Sequence, residues 1–292
     1  MTTTAASATA ASVAPVRVTE GGLSADLRAV KVVLHRELIR FSQDRTRLAA
    51  AFVQPVLFLF VLGQGLSTLT KGSTGGIDLK TFMFPGVLAT STLFTAMFSA
   101  VSIVWDREFG FLREMLVAPV RRGSIIVGKA IGGATVATLQ AIVVLLLAGL
   151  VHVPYNPLMM IELLGELFLL SLMLTALGLV IAARIQQMQA VMGILQMLLL
   201  PLSFLSGALY PTRNLPRWMS AIVHANPLTY GVHAVRSTVF SHLDADPAAL
   251  RALNPPLTWG GHEVTTLTSL ALVVVVSLVL LAIAIAQFSR TE

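Results

Sequence analysis

Five stretches of this chain run for more than twenty residues without a Lys, Arg, Asp or Glu: Leu48–Thr70, Thr81–Val104, Ala130–Val151, Ile185–Thr212 and Val264–Ser289. A sixth, Leu158–Ala183, is equally apolar but contains Glu162 and Glu166. Roughly 20 helical residues cross about 30 Å of hydrocarbon, so each stretch is long enough to span a bilayer. With 55% of its 292 residues hydrophobic, the chain lacks the polar coat of a soluble domain this size. The pattern predicts an all-α integral membrane protein with six spans, at about 48–70, 81–104, 124–151, 158–183, 185–210 and 264–289.

The charges between these spans set the orientation. An even number of spans puts both termini on one side, together with the 105–129 connector and the short turn at Arg184. That side holds 14 of the 20 Lys and Arg residues, which predicts that it faces the cytoplasm. The first 23 residues, beginning "MTTTAASATAASVAP", have neither a basic start nor an apolar core, so they read as a disordered tail rather than a signal peptide. The absence of cysteine excludes disulfides and thiolate metal sites.

Residues 24–47 read as an amphipathic helix. Leu27, Val30, Leu34, Leu38 and Phe41 form its apolar stripe, and Arg28, Lys31, His35, Arg36 and Arg40 occupy much of the rest. Such a helix just before the first span is expected in the membrane interface, with its bases toward anionic lipid. Gly128, Gly132 and Gly133 in the third span predict a close helix contact. The external region 211–263 contains two helix-like pieces too short and polar to span. The first carries Leu215, Trp218, Met219 and Ile222 on one side, with Asn214 as cap. The second begins at Asn226–Pro227, where a first-turn proline loses no hydrogen bond. Trp218 and Tyr230 suit the headgroup level, and the remainder reads as an exposed loop.

Sites of chemistry are sparse. "GSIIVGKA", Gly123–Ala130, matches a phosphate-loop spacing but lacks the hydroxyl at Ala130, and membrane spans flank it; Lys129 is expected to extend toward headgroups. "HLDAD", with His242, Asp244 and Asp246, reads as solvated loop rather than metal site, and no nucleophile constellation is present. An enzyme is not expected. Glu162 and Glu166 lie near the external start of their span, where the helix dipole favours carboxylates; their functional reading is an ion-coupled carrier. Phe94 and Phe98, Gln140, Gln196 and Phe204 are pathway candidates within the spans.

The stretch "WDREFGFLREMLVAPVRRGSIIVGK", Trp105–Lys129, gathers three acids and five bases between two charge-free spans. As one helix, residues 105–117 put Trp105, Phe109, Leu112 and Leu116 on a stripe facing the membrane domain. Both signs of charge then face away, which suits docking on a soluble partner and equally suits a solvated loop with positive-inside anchors. "REFGFLREMLVAPVRRGSIIVGK", followed two spans later by "LSFLSGALYPTRNLPRWMSAIVHANPLTYGVHAVR", resembles the ABC-2 type permeases, the membrane subunits of ABC exporters, and is most similar to the daunorubicin and multidrug-resistance branch. The resemblance covers residues 25–290.

That resemblance implies a six-helix ABC-2 (type V exporter-like) architecture in a bacterial cell membrane. It implies two permeases, with a homodimer expected, and two separate ABC ATPase subunits that bind ATP and magnesium in place of any cofactor here. Residues 105–117 become a coupling helix, with Arg107, Glu108, Phe111, Arg113 and Glu114 as ATPase contacts. The 24–47 segment becomes the interfacial helix, and Pro227, Tyr230 and Arg236 belong to re-entrant helices at the external gate. The expected activity is export of amphiphilic, drug-like or antibiotic molecules by alternating access. Export of a lipid or lipid-linked glycan is the alternative, and neither involves nucleic acid.

Overall fold

The computed structural model of the chain describes residues 22–65, 78–117, 120–212, 215–243, 245–246, 250, 253–259 and 262–291. The predicted tail up to residue 21, the end of the first span at 66–70, and Pro119, Asn214 and Asp244 lie outside the described residues, as does the side chain of Arg113. The helices are α1 (Leu23–Gln43), α2 (Arg45–Val56), α3 (Leu79–Ala100), α4 (Ser102–Glu108), α5 (Phe111–Val117), α6 (Arg122–Leu145), α7 (Pro157–Ala182), α8 (Met188–Phe204), α9 (Arg217–Ala225), α10 (Pro227–Ser241) and α11 (Thr266–Thr291). Past Pro55 the helix continues from α2 through a wider π-type stretch, Leu57–Leu62. Thr258–Trp259 pairs with His262–Glu263 as a short antiparallel hairpin within the predicted external loop.

Asparagine and proline set two of the helix starts. The Asn156 side chain accepts a hydrogen bond from the Leu158 amide at 2.9 Å, and Asn226 accepts one from Leu228 at 3.0 Å. In both cases proline follows the cap, satisfying one orphan amide and deleting another.

Among the described residues, four helices are long and apolar enough to cross a membrane: the run from Leu79 to Glu108 that joins α3 and α4, then α6, α7 and α11. The chain is therefore a multi-pass membrane protein. The other two predicted spans are shorter apolar helices, Phe52–Gly65 and Met188–Phe204. With 17 residues, α8 is about 25 Å long at 1.5 Å per residue. It stops before residue 210 because the chain turns after Leu205 through Gly207, whose φ is 71°.

Helix α3 occupies the centre, packed by α6, α7, α8 and α10, whereas α11 lies against α7 and α10 with Leu267, Val275 and Leu278 exposed. Outward apolar side chains are the natural coat of a helix in lipid. The three glycines of α6 are at close contacts, as their spacing predicts. A Cβ at Gly128 would lie 2.9 Å from that of Val33, one at Gly132 3.2 Å from that of Glu37, and one at Gly133 2.6 Å from a Thr175 methyl. Thus α1 is docked along α6, with Val33 and Glu37 buried and Leu27 70% exposed. Its buried face is rotated from the predicted stripe because the α6 glycines admit Val33 and Glu37.

The Gly133 contact is testable. Both branches of Thr175 lie within 3.2 Å of the added carbon, and Ser99 Cβ lies 3.1 Å away, so side-chain rotation cannot clear the clash. Gly133→Val should destabilise the protein by about 1–3 kcal/mol, read as a lower unfolding midpoint in detergent. Gly165→Ala meets nothing within 4 Å and should be neutral or stabilising by up to ~1 kcal/mol.

Candidate functional site

The connector end of the bundle is built around four charges. Lys129 enters roughly two turns into α6, a depth at which an ammonium must be paired. Its Nζ lies 3.1 Å from Glu37 Oε1 and 2.5 Å from Asp106 Oδ2, and donates to Ser102 Oγ at 3.0 Å. The Asp106 contact is a charge pairing without hydrogen-bond alignment. Arg36 donates to the other Asp106 oxygen. Lys129, Asp106 and Glu37 side chains are 1%, 3% and 8% exposed, and Arg36 is 39% exposed. Two cations and two anions thus close a neutral set across α1, α4 and α6. Lys129 therefore points inward to carboxylates rather than toward headgroups, and the 123–130 decoy is helical throughout. Its depth in an otherwise uncharged span was the sequence signal for this pairing; the contributions of Glu37 and Asp106 depended on the docking of α1.

The connector is two short helices, α4 and α5, rather than one. Gly110 has a φ of 80°, a left-handed conformation that favours glycine. This break separates the predicted stripe: Leu112 is buried and Leu116 half-buried, whereas Trp105 and Phe109 are 40% and 63% exposed. Trp105 packs against Phe109 at a 47° tilt with ring centroids 5.4 Å apart, and the Arg40 guanidinium lies 4.6 Å from the Trp105 ring centre.

The five predicted ATPase contacts divide. Arg107 donates to the carbonyls of Ile185 and Ala183 at 2.9 and 3.2 Å, and Glu108 accepts the Met188 amide at 3.2 Å. These two side chains therefore fasten the connector to the α7–α8 turn. Phe111 and Glu114 are exposed and line a cavity of about 650 Å³ with Arg36, Arg40 and Phe109.

Of the pathway candidates, Phe98 lines a second cavity of about 570 Å³ between α1, α3, α4 and α8. Phe94 is half-buried one turn away, and Gln196 and Phe204 are exposed on α8. Gln140 is buried in α6, with no hydrogen-bond partner for its amide atoms among the described residues.

At the opposite end, α10 is buried and fastened to the end of α8. Asn226 donates to the Leu202 carbonyl at 2.8 Å; Arg236 donates to those of Gly207 and Ala208 at 2.8 and 2.9 Å. The Arg236 guanidinium also lies 4.7 Å from the Phe82 ring centre. Pro227 occupies the first turn of α10. Tyr230 is 2% exposed, so it is not at an accessible surface; its hydroxyl donates to the His224 carbonyl at 2.8 Å. Trp218 remains 66% exposed. Glu162 is exposed, whereas Glu166 is buried and accepts a 2.6 Å hydrogen bond from Thr238 on α10. Pro227, Tyr230 and Arg236 thus share one helix that starts at Asn226 as its sequence implies, while Phe82 is a contributor the sequence reading missed.

The four-charge set predicts a specific pattern. Lys129→Met leaves two carboxylates facing each other in a buried site and should cost about 3–5 kcal/mol. Adding Asp106→Asn should recover part of that loss, a non-additivity measurable by a double-mutant cycle of unfolding midpoints.

The model for the ABC-2 type transporter family matches residues 28–240, which includes most of α1, the connector and nearly all of α10. The chain is 28% identical over 217 residues to the Cyanophora paradoxa protein named transport permease ycf38, covering 72% of this chain and 73% of the relative. Nodulation protein J of Rhizobium leguminosarum bv. trifolii is 28% identical over 192 residues, 65% of this chain and 72% of that protein. The Escherichia coli K12 protein named multidrug ABC transporter permease YbhR is 30% identical over 164 residues, 53% of this chain and 42% of that one. Together with the apolar bundle and its charged connector, the match over most of the chain means that this protein belongs to the ABC-2 type transporter family.

Proposed function

We propose that this chain is the membrane-spanning permease of an ATP-driven exporter. It works with a second permease copy and two copies of a separate ATPase that holds the ATP and magnesium. The observation that carries the proposal is the wiring of the connector within a chain of this family. Asp106 ties it to α1 and α6, and Arg107 and Glu108 tie it to the α7–α8 turn. Phe109, Phe111 and Glu114 meanwhile remain exposed on its surface. An aromatic pair with a carboxylate beside it forms a compact docking face, and charge at its rim fixes register. A push on this face reaches several helices together.

In this reading six segments cross a bacterial plasma membrane, with the shorter helices crossing beside the partner copy. Both termini and the connector are cytoplasmic, in keeping with the distribution of Lys and Arg. The cargo is an amphiphilic, drug-like molecule that passes along Phe94, Phe98, Gln196 and Phe204, with the unpaired Gln140 amide as a polar contact. The relative named as a multidrug permease supports this class, as does the scarcity of polar groups in the spans. Lipid or lipid-linked glycan export uses the same architecture and is the second reading. It is favoured by the mixed apolar and polar lining of the Phe98 cavity between α1, α3, α4 and α8. Glu166, engaged by Thr238, acts to hold α10 in place rather than to couple ion flow. Alternating access then requires α10 to release the end of α8.

Co-expression with the neighbouring ATPase gene, purification and ATP turnover in lipid vesicles test the proposal. Phe111→Ala with Glu114→Ala should weaken ATPase capture by about tenfold or more while leaving the permease's unfolding midpoint within ~0.5 kcal/mol of wild type. Arg107→Ala should instead retain capture and lower the ratio of dye export to ATP hydrolysed. Failure of the wild-type chain to bind an ATPase would overturn the exporter reading.

A further inference from the structure

The cavity of about 570 Å³ at the connector end has the size of a site for a drug-like molecule or lipid headgroup, and its wall is divided by chemistry. Phe98, Val101 and Met192 supply an apolar side, whereas Arg40, Ser99 and Ser102 supply a polar one. Glu37 and Asp44 also border it, but Glu37 is paired with Lys129 and Asp44 has a polar partner. Arg36, in the adjoining cavity, is paired with Asp106. Arg40 has no carboxylate within ion-pairing distance among the described residues, and its guanidinium rests on the face of Trp105.

This geometry has a definite consequence. A guanidinium held over a ring is attracted to the ring face as a cation and keeps N–H donors that no carboxylate among the described residues uses, and such donors bind phosphate or carboxylate through charge-assisted hydrogen bonds. A cationic ligand is disfavoured, since Arg40 covers the aromatic face it would need and Lys129 engages Glu37. We propose that Arg40, held on Trp105, is the headgroup receptor of this cavity. It takes the phosphate or carboxylate of an anionic amphiphile whose apolar part lies along Phe98, Val101 and Met192. The inference rests on the exporter reading for the side of the membrane and deepens it by naming the ligand chemistry. Arg40 and Trp105 also border the connector's cavity, so headgroup binding adjoins the proposed ATPase-docking face.

The test uses the full chain with Trp218→Phe and Trp259→Phe, leaving Trp105 as the fluorophore, in two sets of vesicles. One contains brominated phosphatidylglycerol in plain phosphatidylcholine, and the other brominated phosphatidylcholine in plain phosphatidylglycerol. Bromine quenches only at contact range, so stronger quenching by the anionic lipid is expected. Arg40→Gln should reduce that preference about tenfold, with Arg40→Lys retaining part of it. Met192→Glu, which adds a like charge to the cavity while leaving Arg40 intact, should also reduce it. Equal quenching by both lipids, a preference indifferent to Arg40→Gln, or stronger quenching by a brominated cationic lipid would overturn the proposal. With the ATPase and ATP added, quenching that fades as the brominated lipid appears in the opposite leaflet identifies cargo; persistent quenching identifies a resident lipid. Both support the headgroup chemistry. Because quenching is read without ATP, loss of headgroup selectivity is distinguishable from failure of the exporter reading.

Discussion

A buried lysine in an apolar helix organises the connector end of this protein. An unpaired ammonium at the depth of Lys129 would be too costly to keep, so the fold must bring carboxylates to it. They come from two different elements, Glu37 on α1 and Asp106 on α4, and Arg36 completes the charge balance. Removing any member leaves the others uncompensated. The set therefore specifies one relative placement of three helices, where apolar packing alone would tolerate sliding.

The rest of the connector's geometry follows from that placement. With Asp106 turned inward, Arg107 and Glu108 reach the α7–α8 turn, and Gly110 redirects the chain so that Phe109 and Phe111 face outward. The charged stretch is therefore divided between internal fastening and an exposed face. At the far end a similar economy holds. Arg236 on α10 and its cap Asn226 take carbonyls at and just past the end of α8, where the helix stops and Gly207 turns the chain, leaving backbone acceptors to be satisfied.

Much of the fold was legible because hydropathy over twenty residues is a strong, local signal. Apolar helices α6, α7 and α11 lie largely within the expected apolar stretches, with α6 ending at Leu145 rather than 151, and the α6 glycines mark a close contact as their spacing implies. The helix start at Asn226–Pro227 is equally local. What the sequence concealed depends on tertiary placement. The division of the connector turns on one left-handed glycine, and the inward role of Lys129 turns on a partner 92 residues away. Helix α1 was read as an interfacial amphipathic helix, yet its docked face includes a carboxylate, which no hydrophobic periodicity would select. The two shorter apolar helices match wide charge-free stretches because charge absence does not report where proline or glycine ends a helix.

The central claim is that α1, the connector and α6 move as one body when an ATPase acts on them. The absence of native cysteine makes a direct measurement clean. Asp26→Cys with Arg121→Cys places two thiols across the contact between α1 and the start of α6, and ATP turnover and export by the permease–ATPase complex are compared before and after oxidation. The account predicts that the cross-link forms and leaves both rates within about twofold of the single-cysteine controls, because the two helices keep their relative position throughout the cycle. Export abolished by the cross-link and restored by reduction would show that α1 slides on α6, and would contradict the account.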